Sequence, residues 1–225
     1  MPTSGTATFN PTILTLIEEA FERAGTEMRS GNDVRSARRT IDIMMSEWAN
    51  RGINLWTLES AAINLVAGTG TYNLPATTVD ILDFVIRQGS GTGQIDYQIE
   101  RMGVGGYSAI TNKNTQSRPL QVYVQRGLTP SITLWPVPDS SNYSFIYWGL
   151  TRIEDTGAAT NTMDMPHRFI PALVAGLAYY TAMKKPELAD RVQLLQAEYE
   201  KQFQLAADED RDRSSLWIIP HVGSV

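Results

Sequence analysis

The spacing of apolar residues changes twice along this chain, and these two changes constrain the fold more than any other sequence feature. From Ile13 to Trp48, apolar residues recur about every 3.6 positions, which predicts amphipathic helices. From about Ala61 to Trp148 they alternate in short runs separated by turn residues, which predicts strands. Helical spacing returns near Asp164. The sequence therefore predicts an α+β fold: a helical bundle built from N- and C-terminal helices, with an inserted antiparallel β meander or small sandwich.

The first two predicted helices are joined by a short polar turn and form a helical hairpin. Asn10 is a candidate cap before Pro11, and Gly25 ends the first helix. The second helix begins near Asn32-Asp33 and ends at Gly52. Its apolar stripe contains Val34, Ala37, Ile41, Met44, Met45 and Trp48. Three basic residues are expected on its outer face: Arg35, Arg38 and Arg39.

The β region begins with Ile63–Leu65 and Tyr72–Leu74, which flank Gly68-Thr69-Gly70 and predict a hairpin. The further predicted strands are Ile81–Ile86, Ile95–Ile99, Leu120–Val124, Ile132–Trp135 and Tyr143–Trp148. Gly103–Arg118 has few large apolar residues, and we expect it to be mobile in the free monomer.

Two prolines organise the C-terminal helices. Pro171 lies inside a helical pattern, so the helix either starts near Ile170 or kinks there. Pro186 precedes a long amphipathic helix over Glu187–Ala207. We therefore expect four parts: the N-terminal helical hairpin (1–60), the antiparallel β region (61–153), C-terminal helices that pack with the N-terminal ones (154–213), and a C-terminal extension (214–225).

Composition excludes several kinds of site. The chain has no cysteine, which removes disulfides, zinc–thiolate sites, iron–sulfur clusters and thiol nucleophiles. With His167 and His221 as its two histidines, we expect no metal and no cofactor. No apolar run approaches the roughly 20 residues of a membrane span, and no signal-peptide pattern is present, so no membrane is expected. The net charge of −5 is a poor match for a phosphate backbone.

Motifs that could carry chemistry have simpler structural explanations. Gly103-Val104-Gly105-Gly106 is not followed by the Lys-Ser/Thr of a phosphate-binding loop, so we interpret it as a turn. Asp164 precedes His167 by three residues, and we interpret it as a helix cap rather than a metal ligand. Four carboxylates lie in or beside predicted strands: Asp80, Asp83, Asp96 and Glu100. Nothing marks a cleft or a raised pKa around them, and we predict no catalytic residue.

An abrupt apolar segment follows the charged end of the last predicted helix. It consists of Leu216, Trp217, Ile218, Ile219 and Pro220. Termini are usually polar and frayed, so such a segment either folds back on its own domain or docks into a partner. The sequence leaves these two alternatives open.

Three passages together resemble a known family. They are, in chain order, Ile41–Gly52 with Leu55-Trp56, Gly70–Pro75 with Ile81–Ile86, and Met165–Phe169 with Glu187–Ala207 and Glu209-Asp210-Arg211. In this order they resemble the adaptor, or head-to-tail connector, of short-tailed bacteriophages, a family that includes tail tubular protein A and head-completion proteins. None of the three is a catalytic fingerprint.

The resemblance implies a structural protein of the virion neck or tail, assembled in the host cytoplasm, and not an enzyme. Such adaptors form dodecameric rings beneath the portal protein, extend the channel through which double-stranded DNA is ejected, and dock the tail hub or nozzle. Sequence-specific DNA binding is not implied. By position, Ser214–Val225 corresponds to the extension that contacts the portal, with Leu216–Pro220 as its docking residues. Two alternatives remain: a tail-associated peptidoglycan hydrolase, and a module that binds a receptor or partner through Gly89–Gly93 and Thr111–Arg118.

Overall fold

The computed structural model describes residue 5, residues 9–52 and residues 57–210, and the predicted α+β class is confirmed. The helices in these ranges are α1 (Ile13–Ala24), α2 (Gly31–Asn50), α3 (Val104–Ala109), α4 (Ile170–Lys184) and α5 (Val192–Glu209). The strands are β1 (Leu58–Asn64), β2 (Thr71–Asn73), β3 (Thr78–Gln88), β4 (Ile95–Gln98), β5 (Glu100–Met102), β6 (Gln121–Gln125), β7 (Ser131–Trp135) and β8 (Tyr143–Thr151). The chain divides into a helical unit, residues 1–55 and 154–225, and a β unit, residues 56–153.

Helix α1 begins two residues later than the sequence indicates. Thr12, and not Asn10, is the N-cap, and its Oγ1 accepts a hydrogen bond from the Thr15 amide at 3.4 Å. Pro11 therefore lies before the cap and not in the first helical position. The predicted C-terminus is confirmed, because Gly25 has a φ of 84°, the left-handed conformation that glycine adopts without strain.

Helix α2 starts at a cap that fixes the turn before it. The Asp33 carboxylate accepts hydrogen bonds from the amides of Arg29 at 3.0 Å and Ser30 at 3.1 Å. These hydrogen bonds lower the pKa of Asp33, and the bond from the Arg29 amide has the larger effect. The predicted apolar stripe is buried except for Val34, which is half-buried.

Helix α4 is buried over most of its surface, and small residues let its neighbours approach closely. Pro171 lies in its first turn, so the alternative in which the helix starts near Ile170 is confirmed. Its buried residues are Ala172, Leu173, Val174, Ala175, Gly176, Leu177, Ala178, Thr181 and Ala182. The segment after Pro186 is not α-helical at first: Pro186–Arg191 forms 3-10 turns, and α5 begins at Val192.

The β unit contains two four-stranded sheets, with orders β1-β8-β3-β4 and β2-β7-β6-β5. All pairs are antiparallel except β5–β6, which is parallel, so the predicted antiparallel pattern is wrong at that one pair. Their facing side chains form one core of Leu65, Leu74, Ile81, Phe84, Ile86, Val122, Val124, Ile132, Leu134, Tyr143, Phe145 and Tyr147. Two sheets that share a core correspond to the predicted small sandwich rather than to a meander.

The predicted hairpin around Gly68-Thr69-Gly70 is wrong. Strand β1 pairs with β8 and β2 pairs with β7, so the turn carries the chain from one sheet to the other. The Gly68 amide donates to the Pro138 carbonyl at 2.8 Å, and the Tyr72 hydroxyl accepts from the Val66 amide at 2.9 Å. These contacts hold the turn in place without pairing its two flanking strands.

The segment Gly103–Arg118 contacts neighbouring parts of the β unit, and its mobility in the free monomer stays a prediction. It contains α3, and the Tyr107 ring stacks on Tyr123 with centroids 5.5 Å apart. The Ser117 amide donates to the Val137 carbonyl at 3.0 Å. Glycine 103 is the N-cap of α3, so the cluster predicted to be a turn begins a short helix instead.

Candidate functional site

Most of the residues that the sequence nominates for partner docking lie outside the described residues. These are Leu216, Trp217, Ile218, Ile219 and Pro220, and the same holds for Leu55, Trp56 and His221. The structure does describe the chain as far as Asp210, four residues before the predicted extension begins. Asp210 is the residue after the last turn of α5.

Asp210 is anchored to the start of the other C-terminal helix. Its amide donates to the Ala206 carbonyl at 3.1 Å, and its carboxylate forms an ion pair with Arg168. The side chain of Asp210 is only 2% exposed, and its Oδ2 has no hydrogen-bond partner among the described residues. A carboxylate at a helix C-terminus is disfavoured by the helix dipole, so Arg168 supplies the charge that this position requires. Sequence reasoning missed this pair because 42 residues separate its members.

The helices of this unit are joined by a buried aromatic cluster. The indole nitrogen of Trp48 donates to the hydroxyl of Tyr199 at 2.8 Å, and both side chains are almost fully buried. The rings of Phe169 and Phe203 each lie 5.6 Å from Trp48. Desolvation raises the pKa of Tyr199 to about 12, so the phenol is neutral at neutral pH. These residues hold α2, α4 and α5 together and offer no open surface.

A charged network extends the same cluster to the surface. Arg51 forms ion pairs with Glu47 at 2.5 Å and with Glu200 at 3.0 Å, and its guanidinium lies 4.4 Å from the centroid of Phe203. Glu47 also accepts a hydrogen bond from the Tyr180 hydroxyl at 2.5 Å. Desolvation is the main cause that raises the pKa of Tyr180, and the hydrogen bond to Glu47 is the second. The hydrogen bond to Glu200, and then that to Glu47, raises the pKa of Arg51 despite its desolvation.

The four carboxylates considered for hydrolysis are engaged in structural contacts or solvated. Asp80 bridges Arg101 at 2.7 Å and Arg126 at 3.1 Å. Asp96 binds both ends of the Arg87 guanidinium at 2.7 Å, and this bond lowers the pKa of Asp96. A general acid for glycoside hydrolysis needs a raised pKa. The structure therefore gives Asp80 and Asp96 the role of connecting strands.

The two remaining members of that set, Asp83 and Glu100, are exposed. The Asp83 carboxylate accepts from the Phe84 backbone amide at 2.8 Å, and the Glu100 carboxylate accepts from the side-chain Nε2 of Gln121 at 3.5 Å. Neither faces a second carboxylate at hydrogen-bond distance in the contacts that the described residues make.

The region around His167 differs from its prediction. His167 begins a single 3-10 turn, His167–Phe169, whose N-cap is Pro166, so the interpretation of Asp164 as a helix cap is wrong. Among the described residues, no three His, Asp or Glu side chains are grouped closely enough to hold a metal ion. Likewise, no helix in those ranges is long and apolar enough to cross a membrane.

The two loops considered for partner binding are tied to neighbouring strands. The Gly89 amide donates to the Asn142 carbonyl at 3.2 Å. In the second loop, the Asn112 carbonyl accepts from the Trp135 indole at 3.1 Å, and the Arg118 guanidinium lies 3.9 Å from the centroid of the Tyr97 ring.

Comparison with known proteins identifies similarity at the level of a family. The family model described as "SU10 adaptor protein" matches residues 11–220, which includes parts of both units. No curated protein matches the sequence. Among solved structures, a chain from the "neck of empty GTA particle computed with C6 symmetry" has 8% sequence identity and a TM-score of 0.27, with 75% of this chain and 78% of that chain covered. At this TM-score the structural similarity is too low to indicate a shared fold or function.

Proposed function

The chain belongs to the SU10 adaptor protein family, and from this we propose that it is a head-to-tail adaptor of the phage neck that forms a dodecameric ring. The ring lies beneath the portal protein, extends the DNA channel and docks the tail hub or nozzle. The chain has a structural role and performs no chemistry of its own. The resemblance of its three passages to phage adaptors, described above, agrees with the family match.

The observation that carries this proposal is the extent of the family match. Residues 11–220 include all five helices and all eight strands described above, so the match concerns the whole architecture. A match to one motif could be shared by proteins of different function, whereas this match covers both units. The Arg-paired carboxylates of the β unit support a structural role over the hydrolase alternative, since Asp96 has a lowered pKa.

The docking element of the proposal is the C-terminal extension. Residues 214–225 follow closely after Asp210, which Arg168 fixes to the helical unit. Fully extended, this stretch spans at most about 40 Å, enough to reach across a neighbouring subunit. Leu216, Trp217, Ile218, Ile219 and Pro220 supply an apolar anchor, and buried aromatic residues carry much of the binding energy in protein interfaces.

The DNA contact in this proposal is non-specific. The net charge of −5 gives a ring of these chains no overall attraction for the phosphate backbone. Repulsion allows the duplex to slide, whereas a strongly basic lining retains it.

The test is the solution mass of the purified chain, alone and after mixing with the portal protein encoded beside it. We expect a complex with matching numbers of portal and adaptor chains. Absence of binding to this portal protein at every concentration tested would overturn the adaptor proposal. Degradation of a cell-wall substrate by the chain would then favour the hydrolase.

Two truncations test the extension separately. Deletion of Ser214–Val225 should abolish portal attachment and leave the fold intact. Deletion of His221–Val225 is the matched control, because it retains Leu216–Pro220, and it should attach normally. Attachment by the longer truncation would overturn the docking role and leave the adaptor proposal in place.

A further inference from the structure

The outer faces of the first two helices carry opposite charges. On α1, Glu18 and Glu22 are exposed and lie opposite the buried face of the helix. On α2, Arg35 and Arg39 are exposed and also lie opposite its buried face. Each pair is separated by four residues, so its members are neighbours one helical turn apart. The helical unit therefore presents an acidic face, Glu18 with Glu22, and a basic face, Arg35 with Arg39.

Neither face is neutralised within the described residues. None of the four side chains has an ion pair, hydrogen bond or ring contact there. Like charges at this spacing destabilise an isolated helix. The neighbouring pair Glu19–Arg23 shows the usual alternative, since its opposite charges meet at 2.7 Å within the same helix. Two uncompensated pairs of opposite sign on one unit are free to meet charge from another molecule.

Further cations lie beside the basic face. The Nε atom of Arg38 is buried and has no hydrogen-bond partner among the described residues. Burial, and then the positive charge of Arg39, lowers the pKa of Lys184. The charge of Arg39 thus already acts unfavourably on Lys184 inside the subunit, and an anionic partner would relieve it.

We propose that the acidic face of one copy contacts the basic face of a second copy. This inference rests on the proposed function and names the surface through which the ring subunits meet. A second copy explains both faces with one partner, because each chain supplies the two complementary pairs at the same one-turn spacing. Duplex DNA would satisfy the basic face and leave Glu18 and Glu22 unexplained. A contact between two different faces is heterologous, which is the type that closes into rings.

Charge reversal tests the contact. Glu18→Arg with Glu22→Arg gives a chain with two basic faces, and Arg35→Glu with Arg39→Glu gives a chain with two acidic faces. We expect each variant to lose self-association by about 100-fold at low ionic strength, since opposed like charges strongly disfavour association. A 1:1 mixture of the two should assemble in alternation, and a chain carrying all four substitutions should assemble alone. Sedimentation velocity measures all of these species.

A matched control uses the internally paired residues of α1. Exchange of Glu19→Arg with Arg23→Glu reverses both charges on the same helix and preserves their ion pair. This variant should assemble as the wild type does. If it loses assembly as strongly as the variants of the acidic face, the effect belongs to general disruption of α1 and the proposal is overturned.

Paramagnetic broadening of NMR signals detects the proposed contact between two copies even if it is too weak to build a ring. The chain has no cysteine, so Ser46→Cys on the outer face of α2 accepts a single spin label. Mixed with an isotope-labelled wild-type chain, it should broaden amide signals around Glu18 and Glu22 of the other copy, with less broadening at high salt.

Each remaining outcome decides the question. No intermolecular broadening at low ionic strength overturns the proposed contact. Reversed variants that still build the ring overturn it too, and leave the adaptor proposal intact. Failure to join the portal, with the contact present, would instead overturn the adaptor proposal alone. If Arg35→Glu with Arg39→Glu abolishes duplex DNA binding while self-association is unchanged, the basic face belongs to DNA and the contact is refuted.

Discussion

Replacement of Gly176 by alanine tests how closely helix α4 approaches its neighbours. A Cβ atom at this position would lie 2.5 Å from the Met44 sulfur and 2.8 Å from Cε2 of Tyr199. Alanine favours a helix interior over glycine by roughly 0.5–1 kcal/mol, whereas overpacking a core typically costs about 1–3 kcal/mol. The gain in helix propensity and the cost of overpacking have opposite signs. The net change in stability therefore depends on how far Met44 and Tyr199 can move.

The neighbours have little room to move. Met44 is flexible but has no exposed surface, and Tyr199 is 1% exposed. The Tyr199 ring is also held by its hydrogen bond from Trp48 at 2.8 Å. Displacing the ring would strain a bond whose loss leaves a buried donor unsatisfied, at a cost of about 1–3 kcal/mol. The steric cost therefore exceeds the gain in helix propensity, and we expect Gly176→Ala to destabilise the protein by about 1–2 kcal/mol.

The measurement is urea unfolding together with thermal unfolding. The expected loss corresponds to a fall in Tm of about 2–8 °C for a chain of this size. Gly31→Ala is the matched control, since Gly31 is the first residue of α2 and a Cβ there would contact nothing within 4 Å. The control should be neutral or slightly stabilising. If Gly176→Ala is as stable as this control, α4 does not approach α2 and α5 as closely as the structure indicates.

Two further predictions concern the contacts of the helical unit. Burial raises the pKa of Tyr199 to about 12, above its ordinary value near 10. The folded protein therefore holds this proton more tightly than the unfolded chain does. The resulting stabilisation is complete below about pH 10 and is lost as the pH rises toward 12. Tyr199→Phe should therefore reduce the alkaline fall in unfolding free energy by up to about 1.4 kcal/mol per pH unit, measured by urea unfolding from pH 9 to 12; an unchanged slope would contradict this. Arg168→Leu leaves the buried carboxylate of Asp210 unpaired and should cost about 1–3 kcal/mol, most of which Asp210→Asn in the same chain should recover. Equal losses in the single and double variants, by thermal unfolding, would show that the two side chains are not coupled.

The elements of this fold follow from local sequence patterns, but their pairing does not. The helical spacing of apolar residues and the capping residues predict the start of α1 to within two residues. The alternation of apolar and polar residues predicts strand β3 as part of a sheet. The same local signal gives the wrong partner for β1, because glycines in a turn mark a reversal without determining which strand comes next to it. The partner β8 lies about eighty residues further along, at Ser144 opposite Asn64. Pairing over that distance depends on the shared core of the two sheets.

The candidate surfaces are less predictable than the fold for a different reason. A catalytic site concentrates rare residue types at fixed spacings, whereas a contact surface uses common charged and apolar residues. The basic residues Arg35 and Arg39 are visible in the sequence as an outer face, but only the structure shows that they lack partners in the described part of the chain. The sequence equally contains Glu19 and Arg23, which do form a pair. Charge pattern alone does not separate the two cases.

The ion pair between Arg168 and Asp210 connects two parts of the third passage that resembles phage adaptors. The segment Met165–Phe169 and the residues Glu209-Asp210 are distant in sequence, and this pair joins them at a point four residues before the predicted extension. Both sides of that point are fixed by contacts within the unit: Phe169 is fully buried, and Asp210 continues the hydrogen bonding of α5. Truncation after Arg213 retains both members of this pair, so thermal unfolding of the truncated chain, measured beside portal attachment, separates a loss of docking from a loss of folding.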